Sequence, residues 1–189
     1  MADKLVFDIE TKNSFQDVGG ENNIEKLEAS IIGVYSYNQD KYFCFDENEF
    51  AQFGAMLKQA SLLVGFSSKH FDVPVLKKYF NFNIAAIPHY DILEEIQKVY
   101  GRRIGLGLLA NANVGENKTS HGLEAITMYR NKEFARLKEY CLQDVKLTKN
   151  IFELIKNQGY LWIPQKNIPQ MEKVNLVYNE IVSPQGQLL

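Results

Sequence analysis

The feature that most constrains this chain is its first apolar stretch, Lys4–Thr11, which reads KLVFDIET. Large and β-branched apolar residues in such a run predict a strand inside a sheet. Side chains alternate faces along a strand, so Asp8 and Glu10 are expected to project from the same face. Two adjacent carboxylates on a buried strand repel each other and lose hydration. The pair therefore predicts that this end of the strand reaches solvent, meets a cation or binds a metal ion.

The composition favours a folded domain of ordinary size. The chain has 189 residues, of which 46% are hydrophobic and 12% aromatic, and this is enough for a core. The formal net charge of −2 argues against a broad basic face for nucleic acid. The two cysteines, Cys44 and Cys141, lack metal-type spacing and favour a reducing compartment. We expect a cytoplasmic protein without a signal peptide or a membrane-spanning helix.

Strand-like segments come first in the chain and helical segments are interleaved later. Ser30–Tyr37 and Tyr42–Phe45 follow the first strand and predict a meander. Ser61–Phe66 is wholly apolar apart from its first residue, which is typical of a strand covered on both faces. Residues 101–120 are expected to be irregular, with one helical turn near Leu106–Ala110. This order predicts an α/β fold with a mixed sheet flanked by helices.

The longest predicted helix covers about Lys132 to Gln158 and is expected to stop at Gly159. Lys12 to Glu25 is polar and predicts a long loop, and loops of this length are often functional. We divide the chain into a domain over residues 1–158 and a C-terminal extension over residues 159–189. The extension is expected to pack on the domain or on a partner.

Two further carboxylates fall at the edge of the predicted core. Tyr140 and Asp144 lie four residues apart along the apolar stripe of the long helix, so both point to one place. Asp72 lies in a turn that enters a helix. Alone, Asp144 is explained by a neighbouring Lys or Arg, and Asp72 by the start of its helix. Together with the pair on the first strand, they form the oxygen ligand set that Mg²⁺ and Mn²⁺ prefer.

Three motifs on these elements resemble those of the DEDD superfamily of 3′–5′ exonucleases, which have the RNase H-like fold. In chain order the motifs are Phe7–Thr11, Gly65–Leu76 and Tyr140–Val145, the last in its tyrosine form. The second motif most closely resembles the form found in the proofreading domain of family B DNA polymerases and in its stand-alone bacterial relatives. The resemblance covers about Lys4 to Phe152 and implies a single RNase H-like domain. Ser67 is a departure, since the second motif often carries Asn there.

The resemblance implies a two-metal displacement on a phosphodiester, with two Mg²⁺ or Mn²⁺ ions as cofactors. Asp8, Glu10 and Asp144 would hold the ion that activates water. Asp8 would also ligate the second ion, which Asp72 would reach through water. A free tyrosine has a pKa of about 10, so a tyrosine is a poor base near neutrality. The implied role of Tyr140 is to orient the attacking water.

The implied substrate is the 3′ end of single-stranded DNA or RNA, with DNA favoured. DNA repair, RNA trimming and mobile-element defence stay open as its setting. The residues expected at the substrate are Thr11, Ser67, Phe71, Arg103 and Lys118. Phe71 is a candidate for stacking on the terminal base, and core packing is the alternative. The alternative functions are a non-catalytic nucleic-acid-binding or partner-docking module and an RNase H-like endonuclease. A protein partner or a second copy is expected at the C-terminal extension, and no membrane partner is expected.

Overall fold

The computed structural model describes residues 2–116, 122–165 and 170–179, and a five-stranded sheet lies at its centre. The strands are β1 (Asp3–Thr11), β2 (Ala29–Ser36), β3 (Lys41–Asp46), β4 (Ala60–Gly65) and β5 (His89–Asp91). Their order is β3-β2-β1-β4-β5, which places β1 in the middle. β1, β2 and β3 are antiparallel neighbours, whereas β4 is parallel to β1 and to β5. The mixed sheet and the meander are therefore confirmed.

Helices flank this sheet on both faces. They are α1 (Phe50–Gln59), α2 (Asp72–Leu76), α3 (Ile92–Tyr100), α4 (Leu106–Val114), α5 (Gly122–Arg130) and α6 (Phe134–Gln158). Short 3-10 segments cover Glu21–Lys26, Lys77–Tyr79 and Ile84–Ala86. The expected single turn near Leu106 was wrong, because α4 runs for nine residues and buries Leu109 and Ala110. α6 ends at Gly159, whose φ of 72° lies in the left-handed region, as predicted.

β1 contributes to the core on both faces of the sheet. Leu5, Phe7 and Ile9 are buried on one face, against α1 and α2. Val6 is buried on the opposite face, in a core shared with α3, α4 and α6. Because side chains alternate along a strand, Asp8 and Glu10 continue the face of Val6. The two carboxylates therefore lie on the side of the sheet that α6 covers.

The residues after Gly159 form an antiparallel pair of strands, β6 (Tyr160–Pro164) and β7 (Met171–Asn175). Leu161, Ile163 and Val174 are buried in the core that α4 and α6 share. The described strands of the C-terminal extension thus pack on the rest of the fold. Within the described ranges, no helix is both long and apolar enough to cross a membrane.

Candidate metal centre

A close approach of α6 to the sheet creates the site. A Cβ on Gly33 of β2 would lie 2.9 Å from Cys141 Sγ and 2.9 Å from a methyl group of Val145. Glycine at this position therefore lets the helix lie directly on the strand. Gly33 is also the register partner of Asp8 on β1. The same approach consequently brings the turn of α6 that carries Asp144 over Asp8.

Three carboxylates meet at the end of β1. Asp8, Glu10 and Asp144 each offer an oxygen atom, and these atoms all lie within 4.8 Å of one another. Glu10 and Asp144 are buried and Asp8 is half-buried, so this strand end does not simply emerge into water. Like charges at this spacing repel, and a divalent cation offsets the repulsion. An all-oxygen donor set fits a hard cation such as Mg²⁺ or Mn²⁺.

Asp72 reaches β1 from the first turn of α2. The parallel pairing of β1 with β4 ends at Val6. Further along β1, the Ile9 N–H donates to Asp72 Oδ1 at 3.1 Å. Burial, with the nearby Asp91 and Asp144 carboxylates, raises the pKa of Asp72 to about 8, although backbone hydrogen bonds oppose the rise. Asp72 lies outside the 4.8 Å group but lines the same cavity. A cation placed there would favour its ionised form.

Tyr140 lies one turn before Asp144 on α6 and is buried, with an exposed fraction of 4%. Its ring packs in a small cluster with residues from β2, α5 and α6. Its side chain also lines the cavity above the carboxylates. The spacing of four residues brings the phenol and the Asp144 carboxylate to one side of the helix, as the sequence predicted.

Asp91, which sequence reasoning missed, fastens the turn before Asp72. Its carboxylate accepts hydrogen bonds from the backbone N–H groups of Ser67 and Lys69, both at 2.9 Å. The same carboxylate caps α3 by accepting from the first N–H groups of that helix. It is buried at the end of β5. An aspartate directly before an apolar helical segment is an ordinary N-cap signal, so the cap is visible in the sequence.

Ser67 adopts a left-handed backbone conformation with a φ of 62°. Its carbonyl accepts from the N–H groups of His70 and Phe71, which closes a tight turn. Asparagine, the residue that related motifs often carry here, adopts this conformation more readily than serine. Ser67 Oγ accepts a hydrogen bond from Arg103 Nη2 at 3.2 Å. The turn therefore holds an arginine at the rim of the site.

A cavity of about 630 Å³ covers the carboxylates. The predicted residues that line it are Asp8, Glu10, Asp72, Tyr140, Asp144, Ser67, Phe71 and Arg103. Thr11 instead lines an adjoining cavity of about 340 Å³, and its hydroxyl donates to the carbonyl of Asn13 at 2.9 Å. Lys118 lies outside the described residues. Of the ten predicted positions, eight thus line this cavity, one lines the adjoining cavity and one lies outside the described residues.

The wall opposite α6 comes from the segment after β1. Phe15, Glu21, Asn22 and Ile24 line the cavity from this side. The Phe15 ring meets the Phe71 ring edge-on, with centroids 5.9 Å apart. The sequence marks this segment as a long and potentially functional loop, but the contact between the two rings depends on the tertiary fold.

The family model described as the RNase_H superfamily matches residues 5–156. Among solved structures, the chain is similar to the family B DNA polymerase from the hyperthermophilic archaeon Pyrobaculum calidifontis, with 16% identity and a TM-score of 0.60. That match covers 82% of this chain and 25% of the polymerase chain, so this chain spans about a quarter of the polymerase's length. At this identity the likeness shows the fold alone.

No curated protein matches the chain. The family model, however, extends over most of its length and includes β1 and nearly all of α6. The chain therefore belongs to the RNase H superfamily.

Proposed function

We propose that this protein is a metal-dependent 3′–5′ exonuclease of the tyrosine-type DEDD class. It would hydrolyse phosphodiester bonds at the 3′ end of single-stranded nucleic acid, with DNA favoured over RNA. The observation that carries the proposal is the group of three carboxylate oxygens within 4.8 Å of one another, beneath a cavity that Tyr140 also lines. The order of the three sequence motifs and the family membership support it.

The carboxylates have distinct proposed roles. Asp8, Glu10 and Asp144 would hold one Mg²⁺ or Mn²⁺ ion, and Asp8 would be shared with a second ion that Asp72 approaches through water. Bound cations would supply Lewis acidity, which acidifies water and offsets charge on the leaving oxygen. Asp72 has a pKa raised to about 8 and retains a proton near neutrality before a cation is present. Its backbone hydrogen bond to β1 keeps it in place in either protonation state.

Tyr140 is proposed to orient the attacking water. Its side chain is buried one turn from Asp144, so its position is fixed by packing. A free tyrosine, with a pKa of about 10, is a poor base near neutrality, whereas a tyrosine hydroxyl can hold a water by a hydrogen bond. Correct orientation of a nucleophile is itself a large contribution to rate.

The proposed substrate contacts surround the terminal nucleotide. Phe71 and Phe15 offer aromatic surface, and stacking on a base tolerates any sequence. Thr11 lines the adjoining cavity, which these two rings share, and this cavity would take the terminal nucleoside. Arg103, which lines the cavity, would contact a phosphate. The net charge of −2 fits a short local contact with a strand end better than a long basic track.

The test is a time course on 5′-labelled single-stranded DNA and RNA with Mg²⁺ or Mn²⁺. Stepwise shortening by the wild type, absent in Asp8→Ala and Asp144→Ala, is the expected result. Glu139→Gln removes an exposed charge from the same helix as Asp144 and should retain full activity. The proposal would be contradicted if the wild type degraded nothing with either ion. It would also be contradicted if the two alanine variants were as active as the wild type. A closed circular strand should remain intact, and its cleavage would instead identify an endonuclease.

A further inference from the structure

The two cysteines of the chain meet on the face of the sheet that α6 covers. Cys44 on β3 is the register partner of Gly33 on β2, so both positions face the same side of the sheet. On that side, a Cβ at Gly33 would lie 2.9 Å from Cys141 Sγ. Cys44 also packs against the small buried cluster that contains Cys141. Residues that are distant in sequence thus form a thiol pair above Gly33.

Cys141 also contacts the candidate metal centre. Its Sγ lies 3.6 Å from the backbone oxygen of Asp8 and 3.9 Å from Asp8 Oδ2. It directly follows Tyr140 and precedes Asp144 by three residues on α6. A soft sulfur ligand does not suit Mg²⁺, and the proposed hydrolysis does not use it. The thiol pair is therefore a second chemical group that abuts the carboxylates.

The two thiols differ in their access to solvent. Cys141 is fully buried, whereas Cys44 is half-buried. A small oxidant would therefore meet Cys44 first. The neighbouring Cys141 thiol and the charge of Lys138 lower the pKa of Cys44, although burial opposes this. A larger thiolate fraction makes a thiol more reactive towards peroxide.

We propose that Cys44 and Cys141 are an oxidative modification site, at which a reversible disulfide switches off the carboxylate cluster. With hydrogen peroxide as the oxidant, the Cys44 sulfur attacks one oxygen, the O–O bond breaks, and a sulfenic acid and one water form. The Cys141 sulfur then attacks the sulfenic sulfur, the S–S bond forms, and a second water leaves. Two thiols are oxidised as one peroxide is reduced, and exchange with a dithiol reverses the change.

The disulfide acts on the site through the position of α6. An S–S bond of about 2.05 Å is much shorter than the contact between two thiols, so Cys141 would be drawn towards β3 and away from Asp8. The same helix carries Tyr140 and Asp144. A displacement of about 1 Å in a catalytic arrangement can cost about a hundredfold in rate. We expect oxidation to weaken Mn²⁺ binding and to lower activity by at least about tenfold.

The first measurement counts thiols by mass. The chain contains only two cysteines, so an intrachain disulfide must join Cys44 to Cys141. The full chain is treated with hydrogen peroxide, denatured and alkylated with N-ethylmaleimide. The wild type should lose 2 Da as a monomer and take up no label, whereas Cys44→Ser should keep one reactive thiol. Two labels on the wild type, a disulfide-linked dimer, or stable sulfinic acid on one cysteine would overturn the proposal.

The second measurement titrates the same samples with Mn²⁺ by calorimetry. Oxidised wild type should bind at least about tenfold more weakly than reduced protein, and dithiothreitol should restore binding. Binding to Cys44→Ser should not respond to peroxide. The proposal would be overturned if the disulfide form bound Mn²⁺ as tightly as the reduced protein. It would also be overturned if peroxide weakened Mn²⁺ binding to Cys44→Ser by the same factor. The effect on cleavage rests on the proposed function, but thiol count and Mn²⁺ binding decide this inference even if the reduced protein cleaves nothing.

Discussion

On one face of β1, Leu5, Phe7 and Ile9 are buried against α1 and α2 in an apolar core. On the other face, Asp8 and Glu10 lie under α6, within reach of the Asp144 carboxylate. Burial stabilises the first face through the hydrophobic effect, whereas the second face concentrates like charges. The alternation of side chains lets one strand anchor the fold and hold the charges without mixing the two environments. Changes on the apolar face should therefore alter stability, and changes on the charged face should alter chemistry.

The largest effect on the charged face is expected from Asp8→Asn. The cleavage rate should fall by at least about 10⁴-fold, or about 5 kcal/mol, because a ligand shared by both proposed cations is lost. The free energy of unfolding in the presence of a chelator should not fall, since one source of repulsion is removed. Single-turnover kinetics and urea denaturation measure the two quantities. A stability loss as large as the rate loss would show that this face is structural instead.

Phe7→Ala makes the reciprocal change on the apolar face. Phe7 is 1% exposed and its ring lies 6.0 Å from that of Phe53 in α1. Removing a buried aromatic side chain should lower the free energy of unfolding by about 3–5 kcal/mol. Urea denaturation measures the loss. Val99→Ala, at a position that is 61% exposed, is the control and should change stability by less than about 0.5 kcal/mol. Equal effects of the two substitutions would refute the contrast.

Asp72 should make the free energy of unfolding depend on pH. Its folded-state pKa of about 8 lies above the ordinary value of about 4, so between these values the folded state retains a proton that the unfolded state releases. The stabilisation is therefore fully present below about pH 4 and is lost as pH rises to about 8. In chelator, the free energy of unfolding should fall by about 3–4 kcal/mol from pH 5 to pH 8.

The matched variant for this pH dependence is Asp72→Asn. Its amide oxygen can still accept from the Ile9 N–H, but it does not titrate. Denaturation at several pH values should give a flatter dependence for the variant than for the wild type. A saturating concentration of Mn²⁺ should flatten the wild-type curve as well. Parallel curves for the two proteins in chelator would assign the pH dependence to other groups.

Tyr140→Phe should have the smallest of these effects. The substitution keeps the packed ring and removes only the hydroxyl, so turnover should fall by about 10- to 100-fold while Mn²⁺ affinity is unchanged. Steady-state kinetics and calorimetry measure the two quantities. Full activity would remove the tyrosine from the mechanism, and a parallel loss of metal affinity would indicate a structural role.

Much of the fold could be predicted from local sequence patterns. The apolar runs of β1 and β4 and the glycine after α6 are local signals, and the structure has these elements close to the predicted positions. Helix α4 was underestimated because its sequence, LGLLANANV, shows little separation of polar and apolar residues around a helix. Its stability depends on the core that it shares with β6 and α6, which a local pattern does not reveal.

Some features of the candidate site could likewise be predicted from local sequence patterns, and others could not. The four acidic residues and Tyr140 could be predicted from three sequence motifs. In the structure, all five side chains line one cavity. The ring contact of Phe15 with Phe71 and the thiol pair over Gly33 depend on strand register and helix packing. For Asp91, the cap of α3 can be predicted from the sequence, whereas its hydrogen bond to the backbone at Ser67 cannot.

The central claim is that Asp8, Glu10 and Asp144 together bind a divalent cation. The most direct measurement is a calorimetric titration of Mn²⁺ into the wild type, Asp144→Asn and Glu139→Gln, with no nucleic acid present. We predict saturable binding to the wild type and to Glu139→Gln, and binding at least about tenfold weaker in Asp144→Asn. Equal Mn²⁺ affinity in all three proteins, or no saturable binding to the wild type, would contradict the account.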